Sequence, residues 1–133
     1  MLFLWLFGVV VCELCGWRWM LAAFLLPIIG GSIGQLLLDP ESPIPGLGAS
    51  GGVMGLEGFY FGLAFLHPRP SSYVWPLARP VNSTQLAAAG VVGVGLDFLG
   101  LMGPASNVGH GAHIGGFITG MLLSTLANRF IPR

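Results

Sequence analysis

The chain has 133 residues, of which 54% are hydrophobic and 8% charged, and its formal net charge is zero. Soluble domains carry about 25% charged residues, so this composition, with a mean hydropathy of +0.83, excludes an ordinary water-soluble fold and makes lipid the solvent for much of the surface. Lysine is absent, and the five basic residues are arginines that form no run, which excludes a nucleic-acid-binding surface.

Five apolar segments follow in chain order: Met1 to about Val11, about Trp17 to Leu38, near Ala49 to near Leu66, about Thr84 to Met102, and about His110 to Leu126. Crossing a bilayer takes roughly 20 helical residues, and the last four segments are long enough to do so. The first is shorter, which predicts that the chain begins inside a helix. It has no basic stretch ahead of its apolar run and no small-residue cleavage site behind it, so it does not read as a signal peptide. The expectation is an all-α, polytopic membrane helix bundle of about five segments, forming a single domain over 1–133.

The connections carry turn chemistry. Asp39 to Gly46 reads DPESPIPG, His67 to Pro80 contains four prolines, and Gly103 to Asn107 reads GPASN. Pro27 falls inside the second segment, where neighbouring helices can satisfy the carbonyl it frees. Arg18, Arg69, Arg79, Arg129 and Arg133 all fall on one side of a bundle of alternating spans, and the opposite connections contain no arginine. The positive-inside rule makes the arginine side cytoplasmic. The third and fifth segments then begin at the outer face.

Two short motifs sit at those beginnings. Gly48-Ala49-Ser50-Gly51-Gly52 opens the third segment. A serine in the first turn of a helix lies beside free N–H groups and the positive end of the helix dipole, which favour a developing oxyanion. The same pattern is also an ordinary N-cap on a glycine-rich helix interface. Gly109-His110-Gly111-Ala112-His113-Ile114-Gly115-Gly116 opens the fifth segment. An ionisable residue in a membrane span is a functional candidate, and His113 would share the depth of Ser50. Serine beside histidine is the minimal arrangement for base-activated nucleophilic attack. Gly116 and Gly120, four apart, predict close packing of that helix on a neighbour.

Other groups point elsewhere. Glu57 and Asp97 lie in apolar segments; they could serve a proton-coupled carrier, but a helix-bridging hydrogen bond for Asp97 and a protonated or paired Glu57 are the preferred readings. Cys12 and Cys15 form a C-x-x-C at the end of the first segment. They could ligate metal only together with His110 and His113, and the hydrocarbon, about 30 Å thick, separates the two pairs, whereas zinc bonds are about 2 Å long. No metal and no cofactor are therefore expected.

Read together, GASGG at Gly48 to Gly52 and AHIGGFITG at Ala112 to Gly120 resemble the two signatures of the rhomboid family, G-x-S-G and A-H-x-x-G-x-x-x-G. Their order and separation also match, and the resemblance extends over essentially the whole chain, from within the family's second core helix to its sixth. It implies a domain lacking the first core helix and the start of the second, where the family carries an H-x-x-x-N pair that completes the oxyanion hole. It further implies intramembrane serine endopeptidase activity, with Ser50 as nucleophile, His113 as general base in a dyad without an acid partner, and Gly48 and Gly51 supporting the backbone around the oxyanion. Met54 stands where an aromatic often packs beneath the histidine.

The implied partners are a transmembrane protein substrate and the lipid bilayer; the implied location is the plasma membrane of a bacterium, with multiple spans and cytoplasmic arginine-bearing loops. The oligomeric state is left open. A non-catalytic rhomboid-like protein that binds membrane helices, or an inactive fragment, is the alternative.

Overall fold

The computed structural model describes residues 2–41, 49–66, 72–73, 80–81, 83–104 and 108–130. Five helices follow one another: α1 (Leu2–Cys15), α2 (Trp17–Leu38), α3 (Ala49–Leu66), α4 (Ser83–Met102) and α5 (His110–Ala127). Between α3 and α4, Ser72–Tyr73 (β1) and Pro80–Val81 (β2) form a two-residue antiparallel pair, with Ser72 opposite Val81 and Tyr73 opposite Pro80. The five apolar segments are thus the five helices. The one visible difference is at α1, which runs on through Cys12, Glu13 and Leu14 to Cys15.

A single glycine separates α1 from α2. Gly16 has φ 84° and ψ 163°, a conformation open almost exclusively to glycine. It lets the chain reverse while each helix keeps its hydrogen bonds: the Gly16 amide still donates to the Cys12 carbonyl, and the Gly16 carbonyl accepts from the Met20 amide.

Helices α2, α3 and α5 form the centre of the bundle, and they meet backbone to backbone. A β-carbon on Gly34 would lie 2.7 Å from the Cα of Gly115, and one on Gly31 would lie 2.7 Å from the Ala112 carbonyl oxygen. Along the other seam, β-carbons on Gly116 and Gly120 would overlap the carbonyls of Gly51 and Gly55. Gly30 meets Thr119, whereas Gly34 meets Gly115 and Gly111, so α2 and α5 are antiparallel; α3 and α5 rise together and are parallel. Parallel α3 and α5 begin at the same end of the bundle, which is what brings Ser50 and His113 to one level. Lipid tails give helices no hydrophobic reason to associate, so close van der Waals contact through small residues has to supply the attraction.

Larger side chains fill the other end. Phe7, Val10 and Val11 of α1, Ala23 of α2, Leu56, Phe59, Tyr60 and Leu63 of α3, and Ala127 of α5 make one buried cluster. Trp19 stacks on both Phe59 and Phe130, with ring centroids 6.3 Å apart in each pair. The outward side of α2 is the opposite case, with Leu25, Ile29, Ile33, Leu36 and Leu37 all exposed. A row of exposed aliphatic side chains on a 22-residue helix of mean hydropathy 2.0 suits contact with lipid. Among the described residues, α2 alone is both long and apolar enough to cross a membrane by those two criteria.

Candidate active site

The first turns of α3 and α5, the last turns of α4 and the start of α1 converge at one end of the bundle. Between them lies a cavity of about 880 Å³. Ser50 and Met54 of α3, His113 of α5, Leu96 and Asp97 of α4, and Phe3 of α1 are among the residues that line it. Ser50 is exposed, and no hydrogen bond links it to His113 in this structure. The described arginines Arg18 and Arg129, at the start of α2 and just past α5, lie at the opposite end.

His113 is held from behind. Its Nδ1 lies 2.9 Å from Oδ1 of Asp97, and the same oxygen lies 2.8 Å from Nδ1 of His110. A carboxylate accepts only, so each imidazole donates from its Nδ1–H. That tautomer leaves the His113 Nε2 lone pair available to take a proton. Asp97 is 8% exposed, and the side chains of His110 and His113 are 16% and 20% exposed. In so shielded a place a charge-assisted hydrogen bond is stronger than in water. The two imidazole rings meet edge to face, with centroids 6.4 Å apart. Gly100 of α4 makes room for this, since a β-carbon there would overlap the His110 ring.

The start of α5 has a second anchor. Its N-cap is Gly109, which has no side chain to offer the free amides of the first turn. Gln35 of α2 supplies the missing acceptor: its Oε1 takes a 3.0 Å hydrogen bond from the Ala112 amide. Gln35 is 4% exposed, and its Nε2 reaches Asp39 Oδ2 at 3.4 Å. His113 therefore leaves a helical turn fixed by Gln35 on one side and Asp97 on the other.

The residues singled out from the sequence divide as follows. Ser50 and His113 line the same cavity. Gly51 is buried against the Ala112 carbonyl, and its own carbonyl receives Gly116, so its place is in the α3–α5 seam. Gly120 sits in the same seam against Gly55. Gly48 lies outside the described residues. Met54 lines the cavity one turn below Ser50. Cys12 and Cys15 lie on the last turn of α1, away from the histidines, and form no disulfide. Asp97 is the largest addition. The expectation was a dyad, and the structure sets a carboxylate behind His113; the helix-bridging hydrogen bond foreseen for Asp97 ends on the histidines themselves. Gln35 gave no sequence signal beyond being a polar residue near the end of an apolar helix.

Fold and cleft together define an all-α helical bundle with a serine, a histidine and an aspartate around one cavity. The Rhomboid domain family model matches residues 1–130, and the chain belongs to the rhomboid family. It is accordingly an integral membrane protein of a family made up generally of intramembrane serine proteases. Neither a curated protein nor a solved structure matches it.

Proposed function

We propose that this chain is an intramembrane serine endopeptidase that cuts transmembrane substrates near the outer face of the membrane. The observation that supports it best is the shared cavity of Ser50 and His113, with Asp97 Oδ1 2.9 Å from His113 Nδ1. Ser50 Oγ attacks the carbonyl carbon of the scissile peptide as His113 Nε2 takes the hydroxyl proton. The carbon–nitrogen bond of the tetrahedral intermediate then breaks, and His113 gives its proton to the departing amine. Water, deprotonated by the same Nε2, hydrolyses the ester on Ser50. Asp97 stays ionised throughout; it holds the imidazole in the useful tautomer and stabilises the imidazolium. The Ser50 amide, in the first turn of α3, faces the developing oxyanion. Catalytic hydrogen bonds are commonly long without substrate and tighten once it is bound, so attack requires His113 Nε2 to close on Ser50 as the substrate enters.

The arginine pattern supports the Ser50 end as the outer one, and the membrane we propose is the plasma membrane of a bacterium. The test is cleavage of a single-span substrate in liposomes by the chain and by its Ser50→Ala form. Cleavage by the unmutated chain alone supports the protease. Stable capture of the uncut substrate, with no product from either form, points instead to a rhomboid-like protein that binds membrane helices.

A further inference from the structure

Ser50, Val53, Met54 and Glu57 stand at i, i+3, i+4 and i+7 of α3 and share one face, and all four line the cavity. Seven residues of helix place the Glu57 backbone about 10.5 Å below that of Ser50. Helical side chains lean toward the N-terminus, so the carboxyl comes back part of the way. Glu57 is 3% exposed, and its Oε1 is buried without a hydrogen-bond partner. Beside it on α4 stand Gly90 and Gly93, on which β-carbons would lie 3.2 and 3.5 Å from that oxygen, and Asp97 lines the same cavity. The rest of the wall is largely apolar, with Phe3, Leu4, Val92 and Leu96.

An acceptor buried without a partner is costly, and native structures almost always satisfy one. Asp97, the other acid of the cavity, is already occupied by two histidines. Glu57 is the acid left over, at the floor of an apolar cleft whose rim is the serine. We propose that Glu57 is the specificity-determining residue of this cleft and that it receives a cationic side chain, lysine or arginine, from a substrate residue near the scissile bond. Such a side chain reaches roughly 6 Å from its Cα. Its methylenes suit the walls, as long basic side chains suit apolar surfaces generally, and its N–H groups meet the Glu57 carboxyl, turned from Gly90 toward the cavity, in a charge-assisted hydrogen bond. A site that hydrogen-bonds its guest discriminates strongly against one lacking the donor, because the buried acceptor is again left unpaired.

The proposal rests on the protease reading for the words substrate and scissile bond, so its test uses binding, which does not require cleavage. Single-span peptides that carry one lysine, at successive positions across the expected cleavage region, are compared with methionine-bearing counterparts. Affinity is measured in detergent micelles for the Ser50→Ala form and for the same form carrying Glu57→Gln. The expected result is one position where lysine binds about tenfold or more tightly than methionine, a preference lost in Glu57→Gln. Equal affinities at every position, or a lysine preference that survives Glu57→Gln, would overturn the assignment. Should Glu57→Gln fail to fold, as judged by its melting temperature, Glu57→Met takes its place with the same two outcomes. Failure of the unmutated chain to cleave any peptide bears on the protease reading alone, since the affinities still report on Glu57.

Discussion

The backbone amide of Ala112, in the first turn of α5, is capped by a residue of another helix: Gln35 of α2 accepts its hydrogen bond at 3.0 Å. One residue further on is His113. The cap that sets the direction of the histidine helix is therefore a tertiary contact, made where α2 and α5 are brought together by Gly31, Gly34, Gly111 and Gly115.

Gln35→Leu keeps approximate volume and removes the acceptor. The Ala112 amide is then buried unpaired, at a cost of about 1–3 kcal/mol. The expected outcome is a lower melting temperature in detergent together with slower labelling of Ser50 by a serine-reactive phosphonate. Unchanged labelling would show that Gln35 holds the helix without affecting the site.

Asp97→Asn leaves the shape of the site intact but offers His113 an amide that can donate as well as accept. The imidazole then loses its tautomeric preference and its countercharge. The expected effect is a fall in kcat on the order of 100-fold or more with little change in KM, since in the proposed mechanism Asp97 acts on the transition state through His113. A rise in KM at constant kcat would instead make Asp97 part of substrate binding.

Gly120→Leu drives a side chain into the Gly55 carbonyl, and Gly116→Leu does the same at Gly51. Neither backbone can move without dragging its helix, so each substitution is expected to cost more than the usual 1–3 kcal/mol, roughly, of core overpacking. Thermal unfolding in detergent measures this. Leu122→Ala, on the exposed side of the same helix, is the control and is expected to melt close to the unmutated protein.

Gly16→Ala tests the backbone alone. A β-carbon there would meet nothing within 4 Å, yet φ is 84°. The expected loss is about 1–3 kcal/mol, all of it conformational strain. A stability equal to that of the unmutated chain would mean that the α1–α2 turn relaxes to another conformation.

The helices were legible in the sequence because each is one apolar run closed by proline, glycine or polar residues, as at Asp39 after Leu38 and Gly109 before His110. The extension of α1 to Cys15 was less so, because Glu13 interrupts the apolar run and hydropathy alone does not reveal a helix end that tolerates an exposed acid. Ser50 and His113 could be placed at one depth because both open their helices on the same side. Their neighbours could not be found this way. Asp97 lies 16 residues from His113 and Gln35 lies 77 from Ala112; whether a polar residue on an apolar helix points at lipid or at a particular imidazole depends on helix rotation and packing, which periodicity does not determine when every face is apolar. Gly51 shows the same limit from the other direction: beside a candidate nucleophile it reads as support for the oxyanion, and its spacing does not reveal that its carbonyl is also a packing surface for Gly116.

The glycine seams have a consequence for biogenesis. Each glycine that lets α3 and α5 touch also removes a side chain that would have favoured the bilayer, and among the described residues only α2 combines span length with high hydropathy. A larger apolar residue in place of one of these glycines would add to the segment's own partitioning and push its neighbour away, so insertion and packing of α3 and α5 pull in opposite directions at the same positions.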